Sequence, residues 1–137
     1  MLAPIRWIMW VLVRILLALR YWVSVRGKAE VLKQPGPYLI LPNHPAFIDP
    51  PNLLVRLWPA FKMRPMFLET NFENPLFAPF AWLLRGIRVP DTERTSAEAR
   101  LRAEQAVQSI IDALKANENV IIWPSGRLQR DGVEHIG

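Results

Sequence analysis

The sequence predicts an α/β fold in which short buried strands alternate with helices. Apolar runs at residues 38–42, 64–68 and 120–123 have the length and composition of strands. Between the last two lies a stretch, residues 95–116, whose apolar residues recur at helical spacing on one face while the other face is charged. Because a strand follows this helix directly, we expect it to be a crossover between parallel strands.

Composition limits the class of protein and the kinds of partner. The 137 residues fit one domain, and 51% of them are hydrophobic, which is enough for a packed core. The net charge of +5 favours anionic partners such as a lipid surface or a phosphorylated substrate. No run of basic residues or RNA-binding signature occurs, so nucleic acid is not an expected partner. The absence of cysteine excludes disulfides and thiolate metal sites.

Residues 1–23 are predicted to form an amphipathic helix that contacts a membrane. Residues 5–23 are apolar or aromatic except for Arg6, Arg14 and Arg20. A helix of this length spans about 28 Å, close to the hydrocarbon thickness of a bilayer, but an arginine at its middle would cost roughly 2.5–3.5 kcal/mol. The three arginines fall within about 120° on a helical wheel, which favours a helix lying in the interface of an anionic leaflet. A transmembrane helix and a core helix of a soluble domain remain the alternatives.

The other elements follow from local patterns. Turn residues, glycines and prolines separate the apolar runs, and Thr95–Glu98 has the pattern of a capping box. We expect, in order, a strand over 23–32 with a bulge at Gly27, a strand over 38–42, a helix over 50–58, a strand over 64–68, a loop over 69–71, a helix over 74–84 that Pro79 can kink, a strand over 86–89, the helix over 95–116 and a strand over 120–123.

The candidate site is the loop that follows the strand over 38–42. It contains His44, one of two histidines in the chain, and Asp49. Ligands commonly bind beyond the carboxyl ends of strands in α/β sheets. Residues five apart on a helix point about 140° away from each other, so the chain must turn for these two side chains to meet. Pro45 and Pro50 favour such a turn, because a residue before proline avoids the α region.

In a turned loop, the Asp49 carboxylate can bind the Nδ1–H group of His44 and leave Nε2 free to accept a proton. A Cys–His pair is excluded, and no serine lies nearby in sequence to complete a Ser–His–Asp triad. The pair therefore suits activation of a hydroxyl group on a substrate. The alternative is that Asp49 is only the N-cap of a helix that begins at Pro50, and that His44 is only a loop residue. Both roles of Asp49 can coexist.

Three blocks of the sequence resemble those of one enzyme family. The segment Asn43–Asp49 resembles the Asn-His-x4-Asp motif of the glycerolipid acyltransferases, which include lysophosphatidic acid and glycerol-3-phosphate acyltransferases. The segment Ile121–Arg127 is similar to the Phe-Pro-Glu-Gly block of that family, and Leu84–Val89 resembles its segment with a phosphate-binding arginine. The blocks occur in the family's order and span most of residues 24–132.

The resemblance implies an αβ sandwich that transfers an acyl group from acyl-CoA or acyl-carrier protein to the hydroxyl group of a lysophospholipid or glycerol phosphate in phospholipid synthesis. It implies that His44 is the general base and Asp49 its orienting acid, with no metal and no cofactor apart from the donor. It also implies a lipid bilayer as partner and a membrane-associated location with the active site facing the cytoplasm. The substrate-binding residues that it implies are Asn43, Ser125, Gly126 and Arg127, and both Arg88 and Arg94 are candidates for the phosphate-binding arginine.

Two features depart from the family pattern. Ser125 stands where the family has glutamate, and Arg127 follows glycine directly. Family members continue beyond the third block, so we expect residues 24–137 to be an acyltransferase domain that is incomplete at its C-terminus. The alternative function is a non-catalytic membrane-binding module derived from this fold. A soluble α/β hydrolase is disfavoured, because the sequence has no Gly-x-Ser-x-Gly elbow.

Overall fold

The computed structural model describes residues 3–44, 46–90 and 97–124, and it confirms the α/β class with a parallel sheet. The elements in chain order are α1 (Ala3–Ala18), α2 (Lys28–Val31), β1 (Leu39–Ile40), α3 (Asp49–Phe61), β2 (Arg64–Leu68), α4 (Glu69–Glu73), α5 (Ala78–Leu83), β3 (Ile87–Val89), α6 (Ala97–Lys115) and β4 (Val120–Ile121).

The chain divides into two compact units. The first comprises Met1–Gly36, Pro42–Lys62 and Trp123–Gly137, and it contains α1, α2 and α3. The second comprises Pro37–Leu41 and Met63–Ile122, and it contains the four strands with α4, α5 and α6.

The second unit is built on a parallel sheet with the strand order β1-β4-β2-β3. Leu39 and Arg64 lie opposite Val120 on its two sides, and Met66 lies opposite Ile87. Because every pair is parallel, the carboxyl ends of all four strands lie along one edge of the sheet. The loop that follows β1 and the segment that follows β4 therefore leave the sheet from the same edge.

The helix α6 covers the sheet and confirms the predicted crossover, since it leads from β3 to β4. Apolar residues are expected on the face of such a helix that meets a sheet. The cluster at this contact comprises the buried residues Ile87, Ala113 and Val120 and the partly buried residues Met66, Ile110, Leu114 and Ile122. Met63, Pro65, Val120 and Ile121 are the largest side chains that are fully buried among those described.

The carboxylate of Glu118, which follows α6, binds two arginines: Arg64 at the start of β2 and Arg85 just before β3. Arg64 Nη1 donates to Glu118 Oε2 at 2.8 Å, and Arg85 Nη1 donates to Glu118 Oε1 at 2.5 Å. Arg64 Nε also donates to the Arg85 carbonyl oxygen at 2.9 Å. Burial by itself would raise the pKa of the Glu118 carboxyl, but the hydrogen bonds from Arg64 and Arg85 outweigh burial and hold that pKa below its ordinary value of 4.5.

Glu118→Gln is expected to lower the free energy of unfolding by about 1 kcal/mol at pH 7, because a neutral amide replaces a partly buried carboxylate bound by two arginines. The pKa is lowered in the folded state, so this stabilisation is present above the ordinary pKa and is lost as pH falls through the folded-state pKa. Urea unfolding at pH 7 and pH 3 measures both values. Glu104→Gln, at an exposed position of α6, is the control. An equal effect of Glu118→Gln at both pH values would contradict the assignment.

The strand predicted over residues 23–32 is wrong. The structure has no strand there and instead forms the short helix α2 after Gly27, whose φ of 77° is left-handed. A residue in this conformation interrupts an extended chain. Glu30 and Lys33 then form an ion pair at 2.9 Å across one helical turn, which favours the helical conformation over a strand.

The region between β2 and β3 also differs from its prediction. Residues predicted to form a loop over 69–71 belong to α4. The helix predicted over 74–84 begins only at Ala78, because Asn74 forms a turn in which its side-chain oxygen accepts the Leu76 N–H group at 2.9 Å. Pro79 consequently occupies the first turn of α5, where proline is well tolerated, and it produces no kink.

In the first unit, α1 packs against α3. Trp10 Nε1 donates to the Val55 carbonyl oxygen at 2.6 Å, and the rings of Trp7 and Trp58 meet edge to face at 5.6 Å. Beyond the end of α3, the Lys62 ammonium group lies 3.9 Å and 4.1 Å from the centroids of the Trp7 and Trp58 rings. The Lys62 cation and the Trp7 and Trp58 rings thus help to hold the helix pair together. Within the described ranges, no helix is both long enough and apolar enough to cross a bilayer.

Candidate active site

A reciprocal pair of hydrogen bonds closes the loop that carries the candidate residues. The Asp49 N–H group donates to the Ala46 carbonyl oxygen at 3.0 Å, and Asp49 Oδ2 accepts the Ala46 N–H group at 2.6 Å. The carboxylate thus binds the backbone of its own loop three residues before it. The turn that the spacing of His44 and Asp49 requires is therefore present, and the Asp49 side chain itself stabilises it.

The turn brings His44 and Asp49 together. His44 Nδ1 lies 3.9 Å from Asp49 Oδ2, and the two side chains are 16% and 27% exposed. This separation is within ion-pair range but longer than a hydrogen bond. Catalytic hydrogen bonds are often long in a ligand-free enzyme and shorten when substrate binds. The carboxylate lies on the Nδ1 side of the imidazole, as the prediction requires, and the catalytic roles of both residues stay predictions.

Asp49 does not act as the helix N-cap. It is the first residue of α3, Ile48 holds the capping position, and no side chain in the described part of the chain caps the helix. Pro50 and Pro51 follow in the first turn, where their missing N–H groups need no partner. The Asp49 carboxylate is thus directed to the loop that contains His44. The helix also extends beyond the predicted end at Trp58, to Phe61.

Trp123 lies beside His44. The centroids of the two rings are 6.0 Å apart, and the ring planes are tilted by 51°. Trp123 follows β4 closely, and the N–H group of the preceding residue, Ile122, donates to the Ile40 carbonyl oxygen at 2.9 Å. Trp123 Nε1 is buried and has no hydrogen-bond partner within residues 3–44, 46–90 and 97–124.

Arg88 lies in β3 opposite Phe67 and is held by aromatic rings. Its guanidinium carbon lies 4.6 Å from the centroid of the Phe72 ring and 4.9 Å from that of Trp82. The two rings meet edge to face at 5.8 Å. Ring contacts use the face of a guanidinium, so its N–H groups, which lie in the plane, remain suited to bind an oxyanion.

Arg88 also borders an open groove of about 480 Å³ in the second unit, between β3 and α6. Two further arginines of this groove are neutralised by acids: Arg64 binds Glu118, and Arg102 binds Glu69 at 3.0 Å. Among the described residues, no acidic side chain forms an ion pair with Arg88. Arg88 is therefore the groove arginine whose charge is most available to an anionic ligand.

The remaining predicted site residues are placed only in part. Asn43 is exposed in the loop directly before His44. Arg94, Ser125, Gly126 and Arg127 lie outside the described residues. Across the described ranges, no three histidine or acidic side chains form a group that could hold a metal ion.

Sequence reasoning missed three groups at these sites: the Ala46 N–H group, the Trp123 indole N–H group, and the ring pair of Phe72 and Trp82. The first is a backbone group and leaves no signal in the sequence. The orientation of the Trp123 indole likewise cannot be predicted from the pattern of apolar residues. The ring pair depends on the helices α4 and α5, and the first of these was not predicted.

Residues 23–135 match a protein-family model with the description "Acyltransferase". The matched range includes His44, Asp49, Arg88 and Trp123. A search of curated proteins found no match, and neither did a search of solved structures.

Proposed function

The chain belongs to the acyltransferase family, and we propose that it transfers an acyl group from a thioester donor to the hydroxyl group of a phosphate-bearing glycerolipid acceptor. The donor is acyl-CoA or acyl-carrier protein. The observation that carries the proposal is the turned loop that places the Asp49 carboxylate on the Nδ1 side of His44. This arrangement suits a histidine that accepts a proton through Nε2.

In the proposed reaction, His44 Nε2 accepts the proton of the acceptor hydroxyl group as its oxygen attacks the thioester carbonyl carbon. A carbon–oxygen bond forms, the carbon–sulfur bond breaks, and the departing thiolate takes the proton from His44. Asp49 orients the imidazole and stabilises the imidazolium that forms between the two proton transfers. The protein supplies acid–base groups, so no covalent acyl-enzyme is needed.

A phosphate on the acceptor is supported by Arg88. Its guanidinium is exposed, rests on the Phe72 and Trp82 rings, and has no acidic partner among the residues that the structure describes. Rings that fix the guanidinium plane reduce the freedom lost when its N–H groups bind phosphate oxygens. Arg94 and Arg127 are proposed to contribute to phosphate recognition on the strength of the family resemblance alone.

Arg88→Ala is expected to raise the acceptor KM more than tenfold, because a charge-assisted hydrogen bond contributes roughly 1.5–3 kcal/mol. The donor KM is expected to stay within twofold. Arg88→Lys should restore part of the affinity, since lysine keeps the charge but lacks the planar fork. Arg100→Ala, at an exposed position of α6, is the matched control. An acceptor KM that is unchanged in Arg88→Ala would rule out the phosphate role.

A membrane partner is supported by α1. The helix packs on α3 through Trp10, while its other side exposes Ile5, Ile8, Leu12, Ile15 and Leu16, which lie within about 100° on a helical wheel. Each of these five side chains is more than half exposed. A continuous exposed apolar stripe of this kind is typical of a helix that lies in a membrane interface. We propose association with an anionic leaflet, with the active site facing the cytoplasm.

The double variant Ile8→Glu with Leu12→Glu is expected to weaken binding to anionic vesicles at least tenfold. It introduces two charges on the stripe and removes about 1.5 kcal/mol or more of apolar burial per side chain. Co-sedimentation with vesicles of mixed anionic and zwitterionic lipid measures the effect. Leu101→Glu in α6, at a position 54% exposed, is the control. Equal sedimentation of wild type and double variant would show that the exposed stripe of α1 does not bind the membrane.

The exposed stripe also supports the second candidate function, a membrane-binding module without catalysis. An acceptor panel separates the two. We expect labelled acyl-CoA to acylate lysophosphatidic acid or glycerol 3-phosphate, and to acylate monoacylglycerol, which lacks phosphate, far more slowly. Vesicle binding without transfer to any acceptor would favour the module.

A further inference from the structure

The buried indole N–H group of Trp123 is a donor that the mechanism above does not use. Its Nε1 atom is inaccessible to solvent and binds no acceptor in the described part of the chain. Leaving a buried donor unpaired is costly, and such groups are rare in native proteins. Where one lies beside a catalytic residue, a bound ligand is a natural partner.

The closeness of Trp123 to His44 indicates which part of a bound substrate this donor would meet. Its ring centroid lies 6.0 Å from that of His44, the residue proposed to accept the hydroxyl proton. A hydroxyl oxygen at about 2.8 Å from the imidazole and a carbonyl oxygen at about 2.9 Å from an indole nitrogen are both ordinary hydrogen-bond distances. In the attacked thioester, the carbonyl oxygen and the attacking hydroxyl oxygen are attached to the same carbon, so a donor beside His44 can bind that carbonyl oxygen.

We infer that Trp123 Nε1–H donates a hydrogen bond to the carbonyl oxygen of the acyl thioester, and that this bond strengthens as the oxygen gains negative charge. The inference rests on the proposed function. When the acceptor oxygen bonds to the carbonyl carbon, the π electrons move to the carbonyl oxygen. When the carbon–sulfur bond breaks, they return, and the thiolate leaves with the proton from His44. A fixed donor in a water-poor site stabilises that transient charge.

The family resemblance does not imply a hydrogen-bond donor at position 123. Phenylalanine, which has no hydrogen-bond donor, stands at this position in the family block that residues 121–127 resemble. The same comparison makes Trp123→Phe a suitable replacement, because an aromatic ring remains beside His44 while the N–H group is lost.

The first test compares steady-state kinetics of the full chain and of Trp123→Phe. We expect kcat to fall roughly 10²-fold, as it does when one oxyanion donor is removed, with both KM values within about twofold and the pH profile unchanged. Trp22→Phe is the control, since the Trp22 side chain is 95% exposed in the same unit. An unchanged kcat, or a rise in donor KM alone, overturns the inference.

The second test needs no turnover and remains valid if Trp123→Phe does not fold. The six indole N–H signals of the wild-type chain are followed by NMR while two unreactive CoA compounds are added. One is a ketone in which a methylene group replaces the thioester sulfur, and the other is an S-alkyl thioether without the carbonyl. Replacing each of the other five tryptophans by phenylalanine in turn assigns five of the six signals. The remaining signal belongs to Trp123.

We expect the ketone to shift the Trp123 indole proton downfield and the thioether to leave it near its position in the free protein. Equal shifts with both compounds would show that the donor binds a protein group, and they would overturn the inference. If the wild-type chain transfers acyl groups but shows equal shifts, only this inference is overturned and the proposed function stands. If the wild-type chain transfers no acyl group to any acceptor, the proposed function itself is overturned.

Discussion

His44→Ala is expected to lower kcat for acyl transfer by roughly 10²- to 10⁴-fold, the usual contribution of a positioned general base. The acceptor hydroxyl must lose its proton as it attacks, and alanine offers no proton acceptor. Stopped assays with labelled acyl-CoA measure kcat, and thermal unfolding reports on the fold. Because His44 lies in a loop outside the helices and strands, we expect only a small change in stability.

The chain provides a matched control, since His135 is the only other histidine. His135→Ala should keep wild-type kcat, because His44 is the residue proposed to accept the hydroxyl proton. A His44→Ala variant that is folded and retains more than about a tenth of wild-type kcat would exclude His44 as the base.

Asp49→Asn is expected to reduce kcat by roughly 10²- to 10⁴-fold, as removal of the charge from a histidine-orienting aspartate does in other enzymes. The asparagine side-chain oxygen can still accept the Ala46 N–H group, which Asp49 Oδ2 binds at 2.6 Å, so the turn should persist. An amide cannot stabilise an imidazolium as a carboxylate does. Parallel measurement of kcat and of the free energy of unfolding separates the two roles.

Asp49→Ala completes this comparison, because it removes both the charge and the bond to the Ala46 N–H group. It should lower the free energy of unfolding by about 1 kcal/mol relative to Asp49→Asn while having a similarly low kcat. If Asp49→Asn turns over at the wild-type rate and only Asp49→Ala is impaired, the carboxylate serves the turn and not the chemistry.

The parts of the fold that the sequence predicts well are those governed by apolar pattern. The strand over 64–68 has the predicted bounds, and the helix over 95–116 is observed from Ala97 to Lys115. Both place apolar residues in the core of the second unit, so their residue pattern reflects their environment. The family resemblance, carried by short motifs at the ends of strands, is likewise confirmed.

The parts that the sequence does not predict depend on single polar contacts. The helix α2 in place of a strand is accounted for by the left-handed Gly27 and the ion pair of Glu30 with Lys33. At the candidate site, the spacing of His44 and Asp49 indicates that a turn is required. It does not indicate that the Ala46 N–H group stabilises that turn, or that Trp123 places a ring 6.0 Å from His44. Such contacts depend on side-chain direction, which residue periodicity does not encode.

Direct transfer is tested best by following a labelled acyl group from acyl-CoA in the presence and absence of lysophosphatidic acid, with the full chain bound to anionic vesicles. With acceptor present, we predict labelled diacyl product and free CoA in equal amounts, and loss of both in His44→Ala. Without acceptor, we predict no acyl group on the protein by intact-mass spectrometry. Absence of labelled product from a folded, vesicle-bound wild-type chain, or an acyl-enzyme that accumulates without acceptor, would contradict the account.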